Sequence, residues 1–233
     1  MSSADTSSTG TEVEATEEEV EVDERRQAVI DDLTGHLGEA VLETHIRPGD
    51  DLWVRVDRAA WADTAGAAKA MGYVFFDFLS AIDWLPSPYG RDMDAQEDLV
   101  LAGAAPKAAE PIVHGYAGGD TRFQVIARLY SLSAGMGIHF KTDVPDDDLR
   151  VGTWSGVFAG ANWHEREAAE MFGIGFDGHP NLTKLYLPSD FQGFPLRKDF
   201  PLLARRVRPW PGIVDVEPMP GTGDEGDGEG EGE

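Results

Sequence analysis

Six acid and imidazole side chains fall close together: His164, Glu165, Glu167, Glu170, Asp177 and His179. These residue types can hold a metal ion or move protons in hydrolysis. The spacing does not fit that chemistry. The pattern His-Glu-x-x-His needs a second histidine one turn after the first, and Ala168 stands in that place. His164 and Glu165 are neighbours and diverge on a helix. His179 precedes Pro180, so it reads as a structural histidine bonded to backbone in a turn. A stand-alone metal hydrolase built on His164, Glu165 and His179 is the third-ranked reading.

Gly173-Ile174-Gly175-Phe176-Asp177-Gly178 has the letters G-x-G-x-x-G. Dinucleotide binding needs that motif after a strand and before a helix. Here a helix comes before it and His179-Pro180 after it, so the segment reads as a helix stop and turn. No phosphate-binding loop, nucleophile elbow or cysteine nucleophile occurs in the sequence. Arg197-Lys198-Asp199 sets two cations beside a carboxylate, which alone reads as a surface ion pair.

Several elements position these residues. Asn162 reads as a helix N-cap, with Glu165 three residues on as in a capping box. The helix should run to about Phe172 and stop at Gly173. At about 100° per residue, Ala168, Met171 and Phe172 form a narrow apolar stripe, with Glu165 near it. Trp163, Arg166, Glu167 and Glu170 point the other way. Arg166 and Glu170 are spaced for an i,i+4 ion pair. A tryptophan on the charged face implies a helix gripped on two sides. Beyond it come Pro180, Pro188, Pro195, Pro201, Pro209 and Pro211, too many for regular structure. An extended arm that wraps a surface is expected, of a kind that often orders only on binding.

Upstream, Val29, Ile30, Leu33 and Leu37 mark a helix that ends at Gly38. Strands are expected near Val41–Ile46 and at Leu52, Val54 and Val56. Asp57 can cap a second helix carrying Trp61, Ala65 and Ala68. The apolar run Tyr73–Leu79 reads as a central strand. Phe123, Val125, Ala127 and Leu129 alternate with Gln124, Ile126, Arg128 and Tyr130. Across the turn at Ser133–Gly137 they pair with Ile138, Phe140 and Thr142 as a hairpin. Residues 86–109 read as a long loop. The fold class is α+β: a two-layer domain with a mixed or antiparallel sheet and helices on one face. It spans residues 25–150. Residues 151–214 then hold the short helix and the extended arm.

The net charge is −24, and most of it is terminal. Residues 1–24 carry nine acids and residues 215–233 carry eight, both without Lys or Arg, which leaves −7 for residues 25–214. Both tails are poor in large apolar residues, so both read as disordered, soluble segments. Nucleic acid is not expected as a partner, since phosphate binding needs clustered cations. With no cysteine, the sequence offers no disulfide and no thiolate for zinc or an iron–sulfur cluster. The N-terminus lacks a signal-peptide pattern, and no apolar run approaches the roughly 20 residues of a membrane helix. Membrane association is expected only through a partner.

Taken in order, Glu165-Arg166-Glu167, Phe172-Gly173-Ile174, Gly178-His179-Pro180 and Pro195-Leu196-Arg197-Lys198-Asp199 closely resemble one family. They are similar to the C subunit of the proton-translocating NADH–quinone oxidoreductase, the counterpart of the 30 kDa subunit of respiratory complex I. Thr183-Lys184 stand where that family usually has two arginines, Phe191 replaces a common tryptophan and Phe194 a common histidine. The chain ends soon after Pro201-Leu202, which the resemblance reads as an unfused C subunit. The resemblance implies a structural subunit of the hydrophilic arm, peripheral on the cytoplasmic side of the cell membrane. It implies no cofactor on this chain, with FMN and iron–sulfur clusters in partner subunits. The D subunit and its neighbours are the implied partners. The implied interface is Trp163, Glu165, Arg166, Glu167, Phe172 and Gly173 on the helix, with Gly178, His179, Pro180, Pro195, Leu196, Arg197, Lys198 and Asp199 on the arm. Related subunits of membrane-bound hydrogenases and other quinone-reducing complexes are the alternative.

Overall fold

The computed structural model describes residues 23–86 and 110–200. The expected terminal tails up to residue 22 and from 215, the loop at 87–109 and the arm beyond Phe200 lie outside the described residues. Asp23 and Glu24, read with the acidic tail, instead open the first helix. Asp23 accepts a hydrogen bond from the Arg26 amide at 3.0 Å and so caps helix α1, Glu24–Leu37. The helix ends at Gly38, whose φ of +59° suits a residue without Cβ. Ile30 and Leu33 are its buried side chains.

Strands β1 (Val41–His45) and β2 (Leu52–Val56) pair antiparallel, with an irregularity between Val41 and Glu43. Asp57 caps a single 3₁₀ turn, Arg58–Ala60, which leads into helix α2, Trp61–Ala70. Strand β3 (Phe75–Asp83) follows, then β4 (Phe123–Ser131) and β5 (Met136–Val144). β4 and β5 form the expected hairpin, in register from Phe123↔Val144 to Ser131↔Met136. The sheet order is β1-β2-β5-β4-β3, and only β2 and β5 run parallel. The mixed α+β reading is what the structure shows. Leu52, Val54, Val125, Ala127, Leu129, Ile138 and Phe140 face the helices in one core. Inside it the rings of Trp61 and Trp154 stack 4.6 Å apart, and Trp154 Nε1 donates to the Trp61 carbonyl at 2.7 Å.

The Tyr73–Leu79 run does not form a central strand. β3 lies at the sheet edge and begins at Phe75, with Val74 and Phe75 exposed. A helix covers it in place of a second neighbouring strand. Phe76 packs edge-on against His164, and His164 Nδ1 donates to the Leu79 carbonyl at 3.1 Å. An edge strand blunted in this way is protected from pairing with another chain.

A short parallel sheet joins β6 (Arg150–Gly152) to β7 (Gly175–Asp177). Parallel strands need a crossover. Here it is helix α3, Ala161–Phe172, the helix that carries the motif.

The sequence did not foretell the cover on the other face of the large sheet. There the carbonyls of Tyr116, Ala117 and Gly118 accept from Lys141 Nζ, Arg55 Nε and Gln124 Nε2. Lys141 is almost fully buried, and that burial pulls its ammonium down to about 8. The unfolded chain, with the ordinary value of 10.5, therefore holds the proton more tightly than the folded one. Stability should rise as pH climbs from about 8 towards 10.5. Lys141→Met should abolish that rise and lift the melting temperature by a few degrees at pH 7. Thermal unfolding by circular dichroism across this range checks both.

Candidate functional site

Helix α3 starts two residues earlier than expected, with Gly160 at the cap position and no side-chain cap. Asn162 lies within the helix, and Glu165 forms no capping box. Glu165 instead points inward with Ala161, Ala168 and Phe172, where burial requires it to find partners. It accepts from Thr153 Oγ1 and from the Trp154 amide, each at 2.5 Å. His179 Nε2 is 3.9 Å away, and no arginine among the described residues pairs with it. Burial raises the Glu165 carboxyl to about 6, against the two hydrogen bonds that favour its charged form.

His179 is bonded to backbone on both sides of its ring. Nδ1 accepts from the Asn181 amide at 3.0 Å, and Nε2 donates to the Asn162 carbonyl at 3.1 Å. Gly178, with φ of +84°, makes the turn that puts it there. His164 and His179 are thus directed at different main-chain carbonyls. Among the described residues no three His, Asp or Glu side chains form a group able to hold a metal ion.

The outer face of α3 meets the arm of its own chain. Arg166 and Glu170 do not pair with each other. Arg166 donates to the Thr183 carbonyl at 2.8 Å and to its hydroxyl at 3.0 Å. Glu170 is buried and accepts from the amides of Leu185, Tyr186 and Leu187 at 2.8, 3.0 and 2.5 Å. Lys184 Nζ closes the next turn onto the carbonyls of Pro188 and Phe191. The unpaired main chain of a proline-rich segment is satisfied by charged side chains in place of a ladder.

A second anchor lies at the end of α3. The last carbonyls of a helix have no intrahelical partner. Here the Leu196 amide donates to Met171 O at 3.2 Å and Arg197 Nε to Phe172 O at 2.7 Å. The Arg197 guanidinium also lies over the rings of Phe194 and Phe123, 4.3 and 5.1 Å from their centres. Gly173 is left-handed, and a Cβ there would stand 2.6 Å from the Arg197 guanidinium. Farther on, the Lys198 amide donates to Asp83 Oδ2 at 2.8 Å. Asp83 is held by Arg122 through two bonds of 2.9 and 2.7 Å, and Arg122 also reaches Asp199 at 2.9 Å. Burial works against charge on Asp83, but Arg122 and the amides hold its carboxyl below the usual range.

The structure therefore gathers most of the motif into one patch. Glu165, Arg166, Phe172, Gly173, His179, Arg197 and Asp199 have internal partners. Trp163 and Leu196 are exposed, at 64% and 51%, as is Pro180; Pro195 is half-buried. The Glu167 carboxylate and Lys198 ammonium make no ion pair among the described residues. Sequence reasoning missed Asp83, Arg122, Thr153 and the role of Glu170. One signal was present: Asp83 is in phase with Leu79 and Ala81, so an acid faces the core and requires a partner.

Residues 54–206 match the family described as the respiratory-chain NADH dehydrogenase 30 Kd subunit, more than half of the chain. The chain belongs to this family. The C/D subunit of NADH-quinone oxidoreductase from Yersinia pestis (strain Pestoides F) is 44% identical over 91 residues, covering 39% of this chain and 15% of that protein. The protein of the same name from Citrobacter koseri is 46% identical over 88 residues, covering 38% of this chain and 15% of its own length. The match to this chain thus spans 15% of these relatives. A chain of the membrane-bound sulfane sulfur reductase, an archaeal respiratory membrane complex, shares the fold. It covers 77% of this chain and 87% of its own, with a TM-score of 0.56 and 18% identity.

In this member of the 30 Kd subunit family the Glu165 shift sets a pH dependence. The folded state binds the proton more tightly than the unfolded one, so this group's contribution to stability is lost as pH rises from 4.5 to about 6. Glu165→Gln should gain on the wild type through that window, by about 2 kcal/mol in total, and hold the gain above it. Chemical denaturation of both proteins at pH 4 to 8 measures the difference.

Proposed function

We propose that the chain is a structural and assembly subunit in the hydrophilic arm of the proton-translocating NADH–quinone oxidoreductase. The family match over residues 54–206 carries this reading. Such a complex passes electrons from NADH through FMN and iron–sulfur clusters to quinone. In this reading other subunits hold those cofactors, which agrees with a sequence that has no cysteine. Catalysis belongs to the complex, and this chain supplies scaffold and contact surface. It is peripheral on the cytoplasmic side of the cell membrane, attached through its partners. Among the described residues no helix is long and apolar enough to cross a membrane.

The D subunit is the proposed partner, supported by relatives whose name joins C and D. The proposed contact is the outer face of α3 with the arm that covers it. Trp163, Leu196 and Lys198 touch the partner directly, since they are exposed, and the half-buried Glu167 does so at their edge. Arg166, Arg197 and Asp199 act by shaping the arm. The likeness of fold to a chain of the sulfane sulfur reductase favours a second reading, the same scaffold role in a related membrane-bound respiratory complex.

Affinity purification of the tagged chain from its native membrane separates the two. Co-purification of flavin- and NADH-binding subunits supports the first, and a set without them supports the second. Arg197→Ala should lower recovery of assembled complex, since truncating a desolvated charged contact costs roughly 2–5 kcal/mol. Arg197→Lys should not restore it, because an ammonium cannot stack on Phe194 as a planar guanidinium does. Wild-type yield and activity in Arg197→Ala would show that its shaping of the arm plays no part in assembly.

A further inference from the structure

The arm has almost no regular structure, yet its polar backbone is closely matched by α3. Glu170 lies one turn beyond Arg166 on that helix, and the two divide the arm between them. The carboxylate takes three successive amides, Leu185 to Leu187, and the guanidinium takes the Thr183 carbonyl and hydroxyl. These contacts lie wholly within the chain. Past this point the arm returns to the helix end through Leu196 and Arg197, and to the sheet through Lys198. Both ends of the stretch are therefore tied to the folded domain.

We propose that Glu170 is a positioning residue that latches the arm in its docking shape before any partner arrives. Three converging amides make a concavity for one anion, as in backbone nests elsewhere. The carboxylate is nine-tenths buried or more, so without those amides it would be stranded from water. Arg166 is not its partner, because Nε and Nη2 of the guanidinium are turned to Thr183 and no ion pair with Glu170 forms. Burial disfavours charge on Glu170, but the three amides and Lys184 prevail and hold its carboxyl below the usual range. The latch therefore stays charged at neutral pH.

A latched arm changes how a complex forms. A segment that orders only on its partner lowers the apparent affinity by the fraction of time it spends in the competent shape. Removing the latch should slow association, while contacts made after docking should leave dissociation largely unaltered. The latch itself does not depend on which partner docks. Its consequence for association rests on the interface reading given above.

Hydrogen exchange of the purified full-length chain tests the latch directly. The amides of residues 185–187 should exchange at least about tenfold more slowly than an unstructured peptide in the wild type. In Glu170→Ala they should approach the peptide rate, while β4 and β5 amides stay protected. Glu170→Gln, with one acceptor oxygen in place of two, should lie between. The proposal is overturned if 185–187 exchange freely in the wild type or are unchanged in Glu170→Ala. It is also overturned if both variants lose β4 and β5 protection, which would make Glu170 a determinant of the whole fold. Association with a complex purified without this chain gives the second readout, with an expected slowing of about tenfold in Glu170→Ala. Loss of 185–187 protection with unchanged association would uphold the latch and refute the interface.

Discussion

A chain rich in proline cannot form a helix or a sheet, but each of its buried amides and carbonyls still needs a partner. Residues 181–200 meet this constraint in part with charged side chains, some of them from elsewhere in the fold. Arg166, Glu170 and the arm's own Lys184 satisfy the first half and Asp83 takes the Lys198 amide in the second, while Arg197 caps the Phe172 carbonyl of α3. The rest of the architecture serves to hold those donors and acceptors still. The β6–α3–β7 crossover fixes the helix at both ends, and β3 supplies Asp83 at its last position. The arm is then an extension of the domain rather than a loose appendage.

Much of this was legible in the sequence, for reasons that differ by element. Alternation in Phe123–Leu129 and Ile138–Thr142 marks the hairpin because a strand with one buried face has a period of two. Gly38 and Gly173 mark helix ends because few other residues adopt a positive φ there. The failures share a cause. Tyr73–Leu79 is apolar for contact with a helix distant in sequence, and local pattern does not distinguish that from flanking strands. Glu165 fits the capping-box spacing, but Thr153 and the Trp154 amide claim it. Glu170 and Arg166 fit an ion-pair spacing worth a few tenths of a kcal/mol, and each finds a more demanding partner in the arm.

The charges of this site are used in an economical division. Cations hold carbonyls, carboxylates hold amides, and little direct pairing of side chains remains between α3 and the arm. This explains why the motif resisted every catalytic template. Catalytic acids and bases need free lone pairs or protons aimed at a substrate. Here most are aimed at the main chain. The family match then gives the arrangement its setting in a respiratory NADH dehydrogenase family.

The single parallel contact of the large sheet has a kinetic consequence. β2 meets β5 in the register Leu52↔Ile138, while the β4–β5 hairpin joins near neighbours. Closing a long loop is slow compared with forming a hairpin, so the hairpin should form early and β2 should join it late. The cost of that closure grows only with the logarithm of loop length, about 0.6 kcal/mol for each doubling. Helix α2 and strands β3 and β4 lie between these strands, so only the connections that join them can change length with little thermodynamic effect. Evolution has room there to vary length freely while the helix, the hairpin and the arm keep their geometry.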